Sequence, residues 1–468
     1  MPHVVLLSIP NLRRQDLALM PRLRALLQGG EQAALVPSFP CVTCSVQANM
    51  TTGKPPDRHG VIANGFYWRD KGEVEMWTAW NDVIQAPQIW DLIKQHDPDL
   101  TTAVWFPLLS KGAEADYICT PAPVHNPDGS ESLWCYTRPT ELYGKLRDVL
   151  GHFPLMHFWG PLANIKSTSW IVDSAVYCAK VHRPNFFYIY LPHLDYAAQK
   201  FGPDSPQAEQ SVLELDETIE RLAEGFAEAY AGVGTDSLEA VELAMELEET
   251  MDIDALTNRT SPLTWLVASE YTIQPVDHVC YPNRILREAG WLELREATDG
   301  EYLDPAQSCA FAMVDHQLSH VFVRDRDPHA IEQVATLFHG QEGIAEVLTG
   351  HQRGRYNLDH ERSGDVILVS SPNSWQAYYW WLRDERAPTF ARTVDIHRKP
   401  GYDPVELHFD PATRSIPLNA KLVKGSHGAP ENDAGERGVL LSSRPGLLGR
   451  ELLADTDVFD IVLRQFGM

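Results

Sequence analysis

Nowhere in the 468 residues does an apolar run reach the 18 or so residues that a membrane-spanning helix needs. The short run Val4–Ile9 has no basic stretch before it and is followed by Arg13 and Arg14. It reads as a buried first strand, not as a secretory leader. Cysteine is sparse, with seven scattered residues. An odd, dispersed set of this kind fits a reducing compartment, and a cytoplasmic location is the expectation. Cys41 and Cys44 form one C-x-x-C spacing, but no second pair matches it, so a four-cysteine zinc site is not expected. Positive charge is in short supply too: 39 Lys and Arg face 64 Asp and Glu, a formal charge of -25. Such a chain repels a phosphate backbone, which argues against a nucleic-acid partner. Between Leu222 and Asn258 there is no Lys or Arg at all, and the ten acidic residues there read as a solvated helix or loop. Internal repeats and low-complexity segments are absent.

What is present is an ordinary globular balance, 44% hydrophobic and 22% charged. Short apolar runs alternate with helical patterns, the mark of an α/β fold with a central, mainly parallel sheet flanked by helices. Strands are expected at Val4–Ile9, Ala103–Phe106, Phe186–Leu191, Thr264–Ser269 and Val366–Ser370. Helices are expected at Met20–Gln28, Thr140–Leu150 and Ser211–Tyr230. One domain, 1–468, is expected, with cap-like insertions at about 110–140, 228–260 and 375–420. Two of these, Asp116–Arg138 and Trp375–Leu418, are rich in turn formers or aromatics and are expected to fold over the active face. In a parallel sheet the ligand crevice lies at the carboxyl ends of the strands.

The most informative segment is Pro37–Asn64, PSFPCVTCSVQANMTTGKPPDRHGVIAN. A strand runs toward Phe39, and a helix starts near Thr43 and ends near Thr52-Gly53. At a helix start the unpaired N–H groups and the dipole favour an anion, so a phosphate can be held against the Thr43 hydroxyl. A threonine hydroxyl needs a base or metal to become a nucleophile. The simpler role for Thr43 is that of a helix N-cap.

The spacing Thr43, Thr52-Gly53, Pro56, His59-Gly60, Asn64 resembles the nucleophile loop of the alkaline phosphatase superfamily, in particular its nucleotide pyrophosphatase/phosphodiesterase branch. Met20-Pro21 and Leu23 are similar to that family's helix after the first strand. Further matches follow in order: Leu191-Pro192-His193-Leu194-Asp195, Ser269-Glu270-Tyr271, Gly364-Asp365-Val366 and Gly425-Ser426-His427-Gly428. The resemblance implies that Thr43 is the nucleophile and that Asn64 binds a phosphoryl oxygen. It also implies a divalent metal centre, zinc above all, held by Asp and His side chains.

Residue by residue, that ligand set is altered. Pro10 stands where the family has the first aspartate. Asp195 is kept, but Gln199 replaces the histidine four residues on. Glu270 and Tyr271 replace Asp-His, and His427 is kept. The expected metal residues are therefore Asp195, Glu270, His427 and Gln199, holding one ion rather than two. An amide oxygen in the set admits Mn²⁺ or Mg²⁺ beside zinc. Further ligands or substrate contacts are sought among His193, Tyr271, His278, His316, Asp395 and His397. His193, two residues before Asp195, points to the same side if the segment is a strand end. His316 and His320 lie between apolar runs that read as strands. For any one of these histidines a surface or core role is the simpler reading.

The expected function is a metal-dependent hydrolase acting on a phosphate ester or diester through Thr43, with a small phosphorylated molecule as substrate. The alternatives are a catalytically reduced member that binds a phosphorylated or polyol-like ligand, and a changed reaction on the same scaffold.

Overall fold

The computed structural model describes residues 1–125, 131–231, 263–431 and 437–468. The central sheet draws on strands from the whole chain: β1 (His3–Ile9), β2 (Glu31–Val36), β3 (Thr102–Trp105), β4 (Tyr117–Pro121), β5 (Cys135–Arg138), β6 (Phe186–Tyr190) and β7 (Leu263–Ser269). A second sheet contains β8 (Ala310–Asp315), β9 (Leu318–Val323), β10 (Ile344–Thr349) and β11 (Val366–Ser370). β12 (Gly438–Ser442) and β13 (Leu452–Ala454) return to the first sheet. Its nine strands run in the order β13-β2-β12-β7-β1-β6-β3-β4-β5. Neighbours are parallel except where β12 lies between β2 and β7, and where β5 closes the edge against β4.

β1 shows why these residues make a central strand. All seven are buried, and the two-residue period sends Val5, Leu7 and Ile9 into one core and Val4 and Leu6 into the other. Helices Ile165–His182 and Pro206–Tyr230 cover the first face, and Ile89–His96 and Asp457–Arg464 the second. A central side chain such as Leu7, wholly buried, would cost about 2–5 kcal/mol on truncation to Ala.

Val366–Ser370 departs from expectation. It is a strand, but it belongs to the antiparallel second sheet, ordered β8-β9-β11-β10. A fully buried apolar run has the same sequence signature in either sheet, so composition could not assign it. The two ends of Asp116–Arg138 form the edge strands β4 and β5, where only irregular chain was expected. The intervening 126–130 lie outside the described residues. The acidic stretch begins as the last turns of Pro206–Tyr230, and its remainder, 232–258, also lies outside them. Trp375–Leu418 opens with buried Trp375, Tyr378, Tyr379, Trp380 and Trp381, which join the core of the second sheet. That core also takes in Phe39, Val42, Ile62 and Ala63, so the second sheet braces the loop carrying Thr43. Among the described residues no helix is long and apolar enough to cross a membrane.

Candidate active site

β2, β1, β6 and β7 point the same way, so their carboxyl ends meet at one edge. After β2 the chain turns into helix α1 (Thr43–Thr52). Asp455 sets this turn: its carboxylate accepts from the Ser38 backbone N–H (2.9 Å), the Ser38 hydroxyl (2.7 Å) and Asn49 Nδ2 (2.6 Å). Asn49 Oδ1 in turn meets His59 Nε2 at 2.7 Å, so His59 supports the loop from behind. Gly53 ends the helix at φ 64°, a left-handed conformation suited to glycine.

The N-cap of α1 is Val42, in extended conformation, and Thr43 is the first helical residue. Its hydroxyl is not used as a cap. Thr43 Oγ1 lies 2.9 Å from Tyr271 Oη. Tyr271 Oη donates to Asp195 Oδ1 at 3.3 Å, and Gln199 Nε2 donates to Asp195 Oδ2 at 2.7 Å. Tyr402 Oη donates to Gln199 Oε1 at 2.6 Å. A phenol has one hydrogen; with that of Tyr271 directed to Asp195, Thr43 is the donor to Tyr271, and the Tyr190 phenol bonds the same threonine hydroxyl. The bonds therefore run toward Asp195 from both sides.

Opposite, Asn64 Oδ1 accepts the Cys44 N–H at 2.9 Å, which fixes the amide at the helix start. Asp315 holds Asn64 in turn, accepting its backbone N–H at 2.7 Å and its Nδ2 at 3.1 Å. Asp315 Oδ1 also lies 2.6 Å from His316 Nδ1, which makes Nδ1 the protonated nitrogen. His316 occupies the hairpin turn between β8 and β9 at φ 58°, a region that non-glycine residues enter at a cost. Its ring packs on Tyr402 at 3.6 Å and on His427 at 3.8 Å. His427 stacks on Tyr271 at 3.7 Å and an 8° angle. Its Nδ1 donates to the Cys41 carbonyl at 2.8 Å, leaving a buried Nε2 lone pair without a hydrogen-bond partner among the described residues, 4.0 Å from Asp195 Oδ1. Burial holds this imidazole neutral, well below the usual histidine range.

Glu270 is completely buried. Its Oε1 accepts from Ser8 Oγ (2.6 Å) and Gln47 Nε2 (2.8 Å), and its Oε2 is buried without a partner among the described residues. Burial raises the carboxyl pKa values throughout: Glu270 to about 8, Asp195 to about 7 and Asp315 to about 6. Hydrogen bonds oppose the rise in each case, and the charge of Asp195 adds to it at Glu270.

Thr43, Asn64, Asp195, Gln199, Glu270, Tyr271, His316 and His427 are thus brought together, from segments up to 384 positions apart (43 to 427). His193 is not among them. It sits on the first turn of helix His193–Phe201, where a spacing of two turns it to the other side from Asp195. There its Nε2 pairs with Glu214 at 2.8 Å. The two line different spaces: His193 and Glu214 border a cavity of about 340 Å³ that includes neither Thr43 nor Asp195. His278 bonds Ser374 at 2.8 Å, Asp395 pairs with Arg398, and His397 is exposed. His320 is a core residue with both nitrogens used, one on the Ile62 carbonyl (3.0 Å) and one on the Gly364 N–H (3.1 Å). The thiols of Cys41 and Cys44 are buried and their pKa values pushed up by desolvation, so they remain protonated. Sequence reasoning passed over two members of the site, Asp315 and Tyr402.

The type I phosphodiesterase/nucleotide pyrophosphatase family model matches residues 4–233 and 242–403. The chain belongs to this family. It is a family of phosphoric ester hydrolases, generally dependent on divalent metal. An uncharacterized pyrophosphatase/phosphodiesterase of Schizosaccharomyces pombe is 26% identical over 194 residues, 41% of this chain. That stretch is only 33% of the curated relative's length. Among solved structures, phosphonoacetate hydrolase from Sinorhizobium meliloti 1021 with phosphonoacetate superposes with a TM-score of 0.60 at 16% identity. The match covers 99% of this chain and 96% of that one. Murine ectonucleotide pyrophosphatase/phosphodiesterase 5, an inactive threonine-to-alanine variant with AMP, gives 0.59 at 11% identity over 100% and 96% of the two chains. Both share the fold.

Against this family the donor set is unusual. At the end of β1, Pro10 offers no side-chain donor, and Asn11 instead staples the loops, accepting the Ile273 N–H and donating to the Leu194 carbonyl. Both oxygens of Asp195 are occupied by Tyr271 and Gln199. The Gln199 oxygen, a donor in the expected set, accepts from Tyr402. Among the described residues no three His, Cys, Asp or Glu side chains converge as metal ligands. Zinc requires three or four strong donors, and the residues present do not fit it.

Proposed function

We propose that this chain is a phosphoryl-transfer hydrolase of small phosphate esters or diesters, with Thr43 as nucleophile. The observation that carries this reading is the position of Thr43: first residue of α1, its hydroxyl free of capping duty and hydrogen-bonded to Tyr271. Beside the Cys44 N–H, which Asn64 takes, the helix start supplies its remaining unpaired N–H groups and the positive end of the dipole for the equatorial oxygens of a phosphoryl group. Asn64, held from behind by Asp315, presents an amide to one of those oxygens. Glu270, uncharged over most of the neutral range, adds no repulsion toward an anion. That fold neighbours bind phosphonoacetate and AMP is consistent with a small phosphorylated or phosphono ligand here. The seven cysteines, all unpaired, support a cytoplasmic location.

One observation favours the second reading, a member that binds without turning over. Thr43, Asn64, Tyr271 and His427 are each 5% exposed or less, so a substrate must part the walls to enter. Turnover of bis(p-nitrophenyl) phosphate and p-nitrophenyl phosphate by wild type, Thr43→Ser and Thr43→Ala separates the two. A nucleophile predicts loss of turnover in Thr43→Ala with an unchanged melting curve, and residual turnover in Thr43→Ser. Wild type that binds phosphate but turns over neither ester is the binding protein.

A further inference from the structure

We infer that Tyr271 is a catalytic residue that relays the proton of Thr43 to Asp195. The inference rests on Thr43 being the nucleophile. Three observations converge on it. The phenol oxygen stands 2.9 Å from Thr43 Oγ1 and 3.3 Å from Asp195 Oδ1, so it bridges the two. With the single phenolic hydrogen directed to Asp195, the Thr43 hydrogen points to Tyr271; the Tyr190 phenol also bonds this hydroxyl, which leaves one Thr43 lone pair for phosphorus. Finally, the relay is held rigid: the Tyr271 ring lies flat on His427 at 3.7 Å, and Gln199, itself bound by Tyr402, anchors the other oxygen of Asp195.

The step balances without a further reactant. Thr43 Oγ1 bonds to phosphorus while the bond from phosphorus to the leaving oxygen breaks. The Thr43 proton passes to Tyr271 Oη as the phenolic proton passes to Asp195 Oδ1, and the leaving oxygen takes a proton from water. Water then displaces Thr43 from phosphorus, the relay runs in reverse to restore the Thr43 hydroxyl, and the released phosphate gives its extra proton to solvent. The role of the Tyr271 hydroxyl is thus to accept and donate in one motion. Phenylalanine fills the same space and can do neither.

The test uses the full chain with bis(p-nitrophenyl) phosphate, a melting curve for each variant, and a zinc titration followed by calorimetry. Tyr271→Phe is expected to lower kcat by about 10²–10⁴-fold with KM within about 2-fold, and to add nothing further in combination with Thr43→Ala. EDTA is expected to leave wild-type kcat unchanged, and zinc to show no stoichiometric binding that Asp195→Asn abolishes. Wild-type kcat in Tyr271→Phe overturns the relay while leaving the nucleophile standing, provided Thr43→Ala is inactive. Loss of turnover with EDTA that zinc restores overturns it as well. If wild type turns over no ester, the hydrolase reading fails and the relay fails with it; in an active protein, one equivalent of zinc bound through Asp195 refutes the relay geometry.

Discussion

Replacing Glu270 by glutamine probes the electrostatics of the site without touching its shape. The Glu270 carboxyl is wholly buried, with Oε1 bonded to Ser8 and Gln47 and Oε2 unpartnered among the described residues. Burial lifts its pKa to about 8 from 4.5. A carboxyl raised on folding contributes stability that is complete below its unfolded pKa and is lost as pH climbs through the folded value. At about 1.36 kcal/mol for each pH unit between the two values, the loss for Glu270 comes to roughly 5 kcal/mol by about pH 8.5. Asp195, raised to about 7 from 3.8, adds its own loss in the lower part of this window. The glutamine amide keeps an acceptor for Ser8 and Gln47 and carries no charge to desolvate. Urea midpoints at pH 5.5 and pH 8.5 are the assay. Wild type is expected to weaken over this interval, and Glu270→Gln to weaken by roughly half as much, becoming the more stable protein at pH 8.5. A cation bound beside Glu270 reverses the sign, because it holds the carboxylate charged. Equal pH slopes in the two proteins, or a wild type that gains stability toward pH 8.5, would show that burial does not keep this carboxyl neutral.

Asp315 accepts from both Asn64 nitrogens and from His316, so Asp315→Asn turns an amide N–H₂ toward donors. It should cost about 1–3 kcal/mol by urea denaturation and depress turnover by loosening Asn64. Lys399, 1% exposed, lies 2.8 Å from Asp403 and 2.6 Å from Glu406. Lys399→Met leaves two buried carboxylates uncompensated and should cost about 3–5 kcal/mol, whereas a neutral result would mean that solvent reaches the pair. Tyr402→Phe removes the bond to Gln199 Oε1 and should lower the urea midpoint by the equivalent of about 1 kcal/mol, while the stacking on His316 persists.

Local sequence carried much of this site. The stretch from Thr43 to Asn64 places a helix start, a helix end at Gly53 and an amide facing the start, and all three are in the structure. The strands whose carboxyl ends meet there were visible as buried apolar runs. His193 was not placed correctly because the reading depended on secondary structure. At a spacing of two, neighbours share a side on a strand and oppose each other on a helix, and the segment is a helix from its first residue. Asp315 and Tyr402 went unnoticed for a different reason. Asp315 meets Asn64 across 251 positions and Tyr402 meets Gln199 across 203, and no local period encodes such encounters. The one signal on offer was an Asp-His pair between two apolar strands, which a tight turn could present to solvent as readily as to a site.

If Thr43 attacks phosphorus, the protein must carry a phosphoryl group on that side chain during turnover. Acid quenching of the full chain while it hydrolyses a phosphodiester, followed by peptide mass spectrometry, detects this adduct. A phosphoryl group on the peptide containing Thr43, absent from Thr43→Ala together with all turnover, is the result expected. A Thr43→Ala protein that hydrolyses the diester at the wild-type rate, with no adduct in either protein, would contradict it.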